Sequence, residues 1–278
     1  VDPFAIQGPA AISFSGGRTS ALMLWRILRA LGGRLPPDVV ALFANTGKER
    51  EETLRFVAEC ASRWGVEVHW LERRPGPGGV REVTFHTASR QGEPYAELIR
   101  ERAFLPNPVT RFCTTELKIR PIKAWMLEHG FTYWTNVVGL RRDEPHRVAN
   151  LRAAEGKERW DYAFPLYDGQ ITKADVDAFW RAQPFDLGLN FWEGNCDLCF
   201  LKGQAKRRRV MYDRPDLVAW WVEQERAQGA KFRGDAPSYS VLAAAELAQL
   251  RMPFDPAVEI PAEPALDDLG DCLCTGAE

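Results

Sequence analysis

Two kinds of residue in this 278-residue sequence are suited to chemistry: a glycine turn flanked by hydroxyls, and six unevenly spaced cysteines. The turn is Ser15-Gly16-Gly17-Arg18-Thr19-Ser20. It ends the apolar run Ala10 to Phe14 and precedes apolar positions at helical spacing, Ala21, Leu22, Leu24 and Trp25. Strand, glycine turn and helix in that order aim several backbone N–H groups and the positive end of a helix at one point. That is an anion site, and phosphate is the usual anion. Gly16 and Gly17 reach backbone angles closed to other residues and let a phosphate come close. Ser15, Thr19 and Ser20 add hydroxyl donors. A plain strand-to-helix turn with capping hydroxyls reads the same over so short a stretch. The Gly-Lys-Ser/Thr ending of a Walker A loop is absent.

Among the cysteines, Cys60 and Cys113 stand alone, Cys196 and Cys199 form a C-x-x-C, and Cys272 and Cys274 form a C-x-C. Six cysteines in a chain of this size do not make a disulfide scaffold. Two close pairs and a loner suit a metal or cluster better, and thiolates select soft metals, with zinc and iron–sulfur clusters both open. Cys60 falls on a mostly apolar helix face and reads as a buried small hydrophobe. Lys118, Arg120, Arg141, Arg142 and Arg147 are the candidate cations for phosphate or sulfate oxygens, which guanidinium grips bidentately. Glu49 offers a carboxylate to Mg²⁺. His69, His86, His129 and His146 show no ligand spacing. The run containing Lys202, Lys206, Arg207, Arg208 and Arg209 reads either as a solvated helix face or as a phosphate-contacting patch for a nucleic acid.

These residues need elements to position them. After the first helix, Val39 to Phe43 reads as a buried strand ending at Asn45-Thr46-Gly47, and a helix follows over Arg50 to Trp64 with Leu54, Val57, Ala58 and Ala61 on its apolar face. Val66 to Leu71 is a third strand. Pro75 to Gly79 is a loop, Pro94 to Arg102 a short helix, and Leu105 to Pro108 a break. A helix is expected over Glu116 to His129, interrupted or started by Pro121. Tyr133 to Val138 and Ala163 to Leu166 give a fourth and a fifth strand, and Thr172 starts a helix running to Trp180. Alternating strands and helices predict an α/β fold, a Rossmann-like parallel sheet flanked by helices. In such sheets ligands sit at the carboxyl ends of the strands. Ser15–Ser20 and Asn45–Glu49 both hold that position and are expected to face one pocket. Two domains are expected: 1–183, the nucleotide-binding part, and 184–278, a mostly helical region with the C-x-x-C, Trp220 and Trp221 packed among its helices, and a poorly ordered stretch from Pro253 to Asp271. Val1 to Phe4, with no initiator methionine, is left out of the fold.

Hydrophobic content of 45% and charged content of 27% are those of a soluble globular protein. A net charge of −2 gives no overall attraction to nucleic acid. No apolar run is long enough to cross a bilayer and no charged-then-apolar leader opens the sequence, so cytoplasm is the expected location, with no membrane partner.

Taken together, the segments resemble the phosphoadenosine phosphosulfate (PAPS) reductase family of the adenine nucleotide α-hydrolase superfamily. Ser15 to Ser20 is similar to the superfamily's S-G-G-x-D-S loop, with Thr19 where aspartate is usual. Asn45-Thr46-Gly47-Lys48-Glu49 resembles a D-T-G-x-E stretch. Cys113 to Pro121 resembles C-C-x-x-x-K-x-x-P, with Thr114 in place of the second cysteine. Gly139 to Glu144 with Arg147 resembles G-x-R-x-x-x-x-x-R. Pro165-Leu166 and Thr172 to Val176 resemble a strand end and a T-x-x-D-V helix. The match spans roughly residues 10 to 202, and a phage and bacterial branch shares S-F-S-G-G-R-T-S and N-C-D-L-C-F-L-K-G.

The resemblance implies an adenine-nucleotide site at Ser15, Gly16, Gly17, Arg18, Thr19, Ser20, Asn45, Thr46, Gly47, Glu49, Gly139 and Arg147, with ATP or PAPS as nucleotide. It implies a four-iron [4Fe-4S] cluster on Cys113, Cys196 and Cys199, the fourth position filled by Cys272 or Cys274 or left open. Lys118, Arg141, Arg142, Cys272 and Cys274 are the implied catalytic residues. The family's sulfonucleotide reductases attack with a cysteine of an E-C-G-x-H motif, which this sequence lacks. The intact glycine loop is usual in enzymes that cleave ATP between the α and β phosphates. The leading expectation is therefore an ATP pyrophosphatase-type enzyme in sulfur transfer. Its sulfur acceptor would be a nucleic acid or a small molecule, its sulfur or electron donor a thioredoxin-like protein or a cysteine desulfurase. The alternatives are a PAPS or adenosine phosphosulfate reductase releasing sulfite, and a nucleotide-binding regulator without turnover. A second copy of the chain is a further expected partner.

Overall fold

The computed structural model of the protein describes residues 2–76 and 79–250. Six strands form one sheet in the order β4-β3-β2-β1-β5-β6. They are β1 (Ala10–Ser13), β2 (Val39–Asn45), β3 (Val68–Arg73), β4 (Val80–Val83), β5 (Trp134–Val137) and β6 (Trp160–Ala163). All pairs are parallel except β3 with β4. The chain runs outward from β1 through β2 to β3, then returns past β1 to lay down β5 and β6. The order therefore reverses between β1 and β5, and that switch point is where an open α/β sheet leaves a crevice.

The expected α/β fold is present, with differences at its edges. Strand β4 was not foreseen; Val80-Arg81-Glu82-Val83 is short and charged at its centre, as suits an edge strand. The fifth parallel strand lies at Trp160–Ala163, ahead of the expected Ala163 to Leu166. Pro165–Asp168 forms instead a helical turn, α7, in which Pro165 needs no N–H partner. Phe4, set outside the fold by the sequence reading, belongs to the core at 8% exposure.

Helices α1 (Arg18–Ala30), α2 (Glu51–Trp64) and α8 (Lys173–Arg181) pack on one face of the sheet. In α2 the buried side is Thr53, Leu54, Phe56, Val57 and Cys60, so Cys60 is the small hydrophobe its setting suggests. Thr172 caps α8 as expected: its amide and hydroxyl both donate to Asp175, at 2.8 and 2.6 Å, and those bonds hold the Asp175 carboxyl below its usual range. The opposite face is covered by a helix longer than expected. It begins as α4 (Phe112–Thr114), widens through a π-turn (Thr115–Ile119) and continues as α5 (Arg120–Glu128). Arg120 donates its backbone N–H to the Thr115 carbonyl, one residue further back than in an α-helix. The wider turn lets Pro121, with no N–H and a ring that would press on the carbonyl four residues back, sit inside the helix.

The remaining helices are α3 (Glu93–Arg102), α6 (Pro145–Arg152), α9 (Gln204–Asp213), α10 (Val218–Gln228) and α11 (Tyr239–Leu250). A second core joins Tyr95, Leu98 and Ile99 of α3 and Leu117 of the π-turn to Leu198, Phe200, Trp221, Phe232 and Tyr239. It draws on both sides of the boundary expected near residue 183, and Trp221 packs among the helices as foreseen. Among the described residues no helix is long and apolar enough to cross a membrane. The stretch from Pro253 onward, with Cys272 and Cys274, lies outside the described residues.

One seam joins the two halves. Glu49 and Cys196 form an antiparallel bridge, flanked by Arg50 N–H donating to the Asn195 carbonyl at 2.6 Å and Asp197 N–H to the Lys48 carbonyl at 2.9 Å. Lys48 and Asp197 pair at 2.8 Å with side chains 6% and 4% exposed. Trp221 Nε1 and the Leu198 amide donate to the Asp197 carboxylate at 2.8 and 2.6 Å. Removing one partner strands the other charge in the interior, which costs about 3–5 kcal/mol. Asp197→Ala is therefore expected to lower unfolding free energy by that amount in a denaturant titration, and Lys48→Met with Asp197→Leu together by much less. Equal losses in the two would show that the pair is not what matters there.

Candidate functional site

The switch point holds a cleft of about 940 Å³, counting the part open to solvent. Its upper rim is made by the segments that follow β1 and β5. From the first come Ser15, Gly17, Thr19 and Ser20; from the second, Gly139, Arg141, Glu144 and Arg147. Lys118 of the π-turn closes one side. The two rims touch closely: a Cβ on Gly139 would lie 3.2 Å from the Ser20 Cα, so glycine lets β5 end against the start of α1. Gly16 takes φ +78° with Thr53 and Val57 directly behind it, and it shapes the loop from the rear without lining the cleft. Ser20 Oγ accepts from the Ser15 amide at 3.2 Å and lies 2.9 Å from Ser15 Oγ, holding the loop closed on itself.

Arg141 is 3% exposed and held from two sides. Nε donates to Asp143 at 2.9 Å and Nη1 to Thr19 Oγ1 at 3.3 Å, so the arginine after β5 is tied to the hydroxyl after β1. Arg147 is held by Glu144. Three expected cations lie elsewhere, the first being Arg120, exposed and donating to Glu116 at 2.8 Å. Arg142 is exposed and stands over the Tyr167 ring at 4.7 Å. Arg18 donates to Asp186 at 2.7 Å and does not line the cleft. The depth of the cleft was not anticipated: it runs along the sheet face under α5, past Ser13, Asn136 and Lys123 to the Trp134 and Trp160 rings, stacked at 5.3 Å. Polar residues within short apolar strands, Ser13 at the end of β1 and Asn136 inside β5, were the available signal.

The Asn45–Glu49 segment does not face this cleft. It follows β2, on the far side of β1 from the switch point. Asn45 is fully buried; its amide donates to Glu72 at 2.7 Å and to the Ser89 carbonyl at 2.9 Å, and its Oδ1 accepts from Gly47 N–H at 3.1 Å. Thr46 donates to Glu49 Oε2 through its amide at 2.8 Å and its hydroxyl at 2.6 Å. Glu49 Oε1 lies 3.4 Å from Lys118 Nζ. With its side chain 1% exposed, this carboxylate is closed to a hydrated Mg²⁺.

Beyond Lys118 lie Cys113, Cys196 and Cys199, brought together around Tyr95 of α3. The Tyr95 hydroxyl, buried and facing all three thiols, is pushed well above its usual range. Burial, then Cys199, raises Cys113 to about 11 against the hydrogen bond from Tyr95 and the charge of Lys118. Cys196 donates to Cys199. That bond, with Lys202 and Lys118 nearby, outweighs burial and brings Cys199 down to about 6. Cys196 is correspondingly pushed up, and the Glu49 carboxylate adds to the rise. Each cysteine keeps a partly accessible surface although protein surrounds it. Three thiols around one tyrosine, one of them readily ionised, are donors of the type an iron–sulfur cluster takes. Among the described residues no three His, Cys, Asp or Glu side chains stand close enough to hold one metal ion.

Asn195, missed in the sequence reading, joins the two places. Its side chain lines the cleft and donates to the Ser15 carbonyl at 2.8 Å, and the next residue is Cys196. The basic run is largely interior. Lys202 is 3% exposed and donates to the carbonyls of Cys196 and Asp197, while Arg207 is 1% exposed against the Tyr239 ring. Arg208 pairs with Glu246 and Arg209 with Asp213. A solvated face is thus the wrong description for Lys202, Lys206 and Arg207.

A mostly parallel open sheet with a glycine loop at its switch point defines the chain as an α/β protein of doubly wound type. More specifically, the chain belongs to the PAPS reductase family: the profile of the phosphoadenosine phosphosulfate reductase domain matches residues 9–187. An uncharacterised nin region protein of Escherichia phage lambda is 32% identical over 204 residues, covering 70% of this chain and 67% of its own. An uncharacterised protein of Methanocaldococcus jannaschii is 28% identical over 221 residues, 78% of this chain and 41% of its own, so the chain spans less than half of that relative. Among solved structures, PAPS reductase from Candida auris in its phosphate complex is similar with a TM-score of 0.43 and 15% identity over 67% of this chain and 82% of that one. The U34-tRNA thiolase NcsA from Methanococcus maripaludis with its [4Fe-4S] cluster is similar at 0.41 and 14% over 94% and 82%.

The thiol chemistry gives a direct test. In metal-free protein, alkylation of Cys199 by iodoacetamide is expected to rise as pH passes about 6, because the thiolate is the reactive form and is lost below that value. Cys113 stays slow until close to pH 11. Peptide mass spectrometry across pH reads both; a Cys199 rate that climbs only above pH 8 would refute the assignment.

Proposed function

We propose that the chain is an adenine-nucleotide-dependent enzyme of ATP pyrophosphatase type that acts in sulfur transfer, with an iron–sulfur cluster beside the nucleotide. The observation that carries this reading is the shared wall: Lys118 and Asn195 each belong to the nucleotide cleft and to the surroundings of the cysteines. Family membership supports the adenine nucleotide and the sulfur chemistry.

In this reading an acceptor oxygen attacks the α-phosphorus of ATP, the bond to the β-phosphate oxygen breaks, and pyrophosphate leaves while the acceptor is adenylated. The loop amides after β1 and the hydroxyls of Ser15 and Thr19 hold the leaving phosphates. Arg141, fixed by Asp143 and Thr19, and Lys118 neutralise the charge that grows on them, and because both are positioned beforehand, little reorganisation opposes the reaction. Cys113, Cys196 and Cys199 would hold the cluster, whose chemistry when bound is to carry sulfur or electrons to the activated acceptor. The acceptor is a nucleic acid or a small molecule, and the sulfur or electron donor a cysteine desulfurase or thioredoxin-like protein. A sulfonucleotide reductase is the second reading, favoured by the name of the family domain. It requires a nucleophilic cysteine, for which Cys272 and Cys274 are the candidates.

Anaerobic purification with iron and sulfide analysis is the first test, and a brown protein with matching iron and sulfide is expected. Incubation with ATP should then release pyrophosphate, whereas sulfite from PAPS would select the reductase reading. Arg141→Ala removes a charge-assisted contact worth roughly 1.5–3 kcal/mol, so nucleotide affinity should fall about 10–100-fold by calorimetry. Unchanged affinity would remove Arg141 from the site.

A further inference from the structure

Among the described residues the cysteines beside Lys118 are three, and the position next to Cys113 is Thr114, whose hydroxyl is a poor ligand for iron. A protein-held four-iron cluster is ordinarily bound at four points. A fourth donor need not be a thiol. Glu49 lies directly opposite Cys196 in the antiparallel bridge, and residues paired in this way send their side chains to the same face. Glu49 therefore emerges beside Cys196, close enough for its charge to act on that thiol.

Its two oxygens differ. Oε2 accepts two hydrogen bonds from Thr46, which fix the plane of the carboxylate. Oε1 accepts none, although its side chain is 1% exposed. Lys118 Nζ, 3.4 Å away, attracts it electrostatically without making a hydrogen bond. A buried carboxylate oxygen without a donor is costly, and native proteins keep such atoms where another group arrives to meet them. The bridge and Thr46 together hold Glu49 so that Oε1 cannot turn out to water.

We propose that Glu49 Oε1 is the fourth protein ligand of the cluster held by Cys113, Cys196 and Cys199. The inference rests on the iron–sulfur reading given above. Each ligand of a polynuclear cluster binds a different iron, so the four donors need not converge on one point, in keeping with the described residues offering no single-ion site. A hard oxygen donor on one iron of a thiolate-bound cluster is the weakest of the four links. It would mark that iron as the exchangeable one.

The experiment uses the full chain reconstituted anaerobically, read by iron content and by electron paramagnetic resonance after mild oxidation. The unmodified chain is expected to keep a four-iron cluster. Glu49→Gln, which preserves shape and removes the charge, should lose one iron per cluster and show the signal of a three-iron species. Glu49→Cys should restore the full iron content. Glu49→Gln with unchanged iron and spectrum overturns the assignment. So does loss of the fourth iron in a Cys272→Ser, Cys274→Ser double variant while Glu49→Gln keeps it. If Glu49→Gln takes up no cluster at all, Glu49→Cys decides: four irons support the ligand, and none overturns it. An unmodified chain that binds no iron overturns the iron–sulfur reading itself, a result separate from any effect of Glu49.

Discussion

The pairing of 48–50 with 195–197 is the constraint on which the rest of this structure depends. Backbone groups leaving β2 need partners once buried, and here the partners come from the segment that carries the C-x-x-C. Register in that short ladder decides which side of the segment Cys196 occupies. The Lys48–Asp197 pair lies within the seam and is hydrogen-bonded further by Trp221 and Leu198. A buried ion pair adds little net stability over an apolar one, but it penalises every arrangement that separates its charges. The seam thus fixes the cysteines against the sheet, and Asn195 carries the same fixation to the Ser15 carbonyl.

The geometry of the cleft follows from topology. Loops after β1 and β5 meet because the strand order reverses between them, while the loop after β2 lies one strand away. This explains how far the sequence could be read. Ser15, Gly17, Thr19, Ser20, Gly139, Arg141 and Arg147 carry local signals, a glycine turn or an arginine close behind a strand, and they line one cleft, while Gly16 and Arg18 of the same loop do not. Asn45 to Glu49 carries a signal of the same kind but is directed to the seam, because position at a carboxyl edge says nothing about which neighbouring strand lies beside it. Strand order is a long-range property that periodicity does not encode.

Charge was the least legible feature. Lys202, Lys206 and Arg207 look like surface residues by type, yet all three are buried, Lys202 against carbonyls and Arg207 against an aromatic ring of the second core. The Tyr239 ring comes from a segment far along the chain, and the Cys196 and Asp197 carbonyls from the loop ahead of the helix, so the basic run alone does not reveal them. By contrast, the Thr172–Asp175 cap was fully legible, since a capping box is complete within four residues. The edge strand β4 and helix α6 fall between these cases, being short elements whose stability comes from the neighbours they pair or pack with.

The π-turn at Thr115–Ile119 has a consequence for inheritance. In a regular α-helix, residues five apart are about 140° from facing the same way. The widened turn brings Cys113 and Lys118 toward a common side, so that a lysine lining the cleft also acts on the thiol at the start of the helix. A π-turn amounts to one residue more than the regular winding requires. Loss of a single residue between Cys113 and Lys118 would tighten the turn, part the cysteine from the lysine and press the Pro121 ring on the carbonyl four residues back. Such a deletion therefore breaks the link between the two sites and strains the helix in one step.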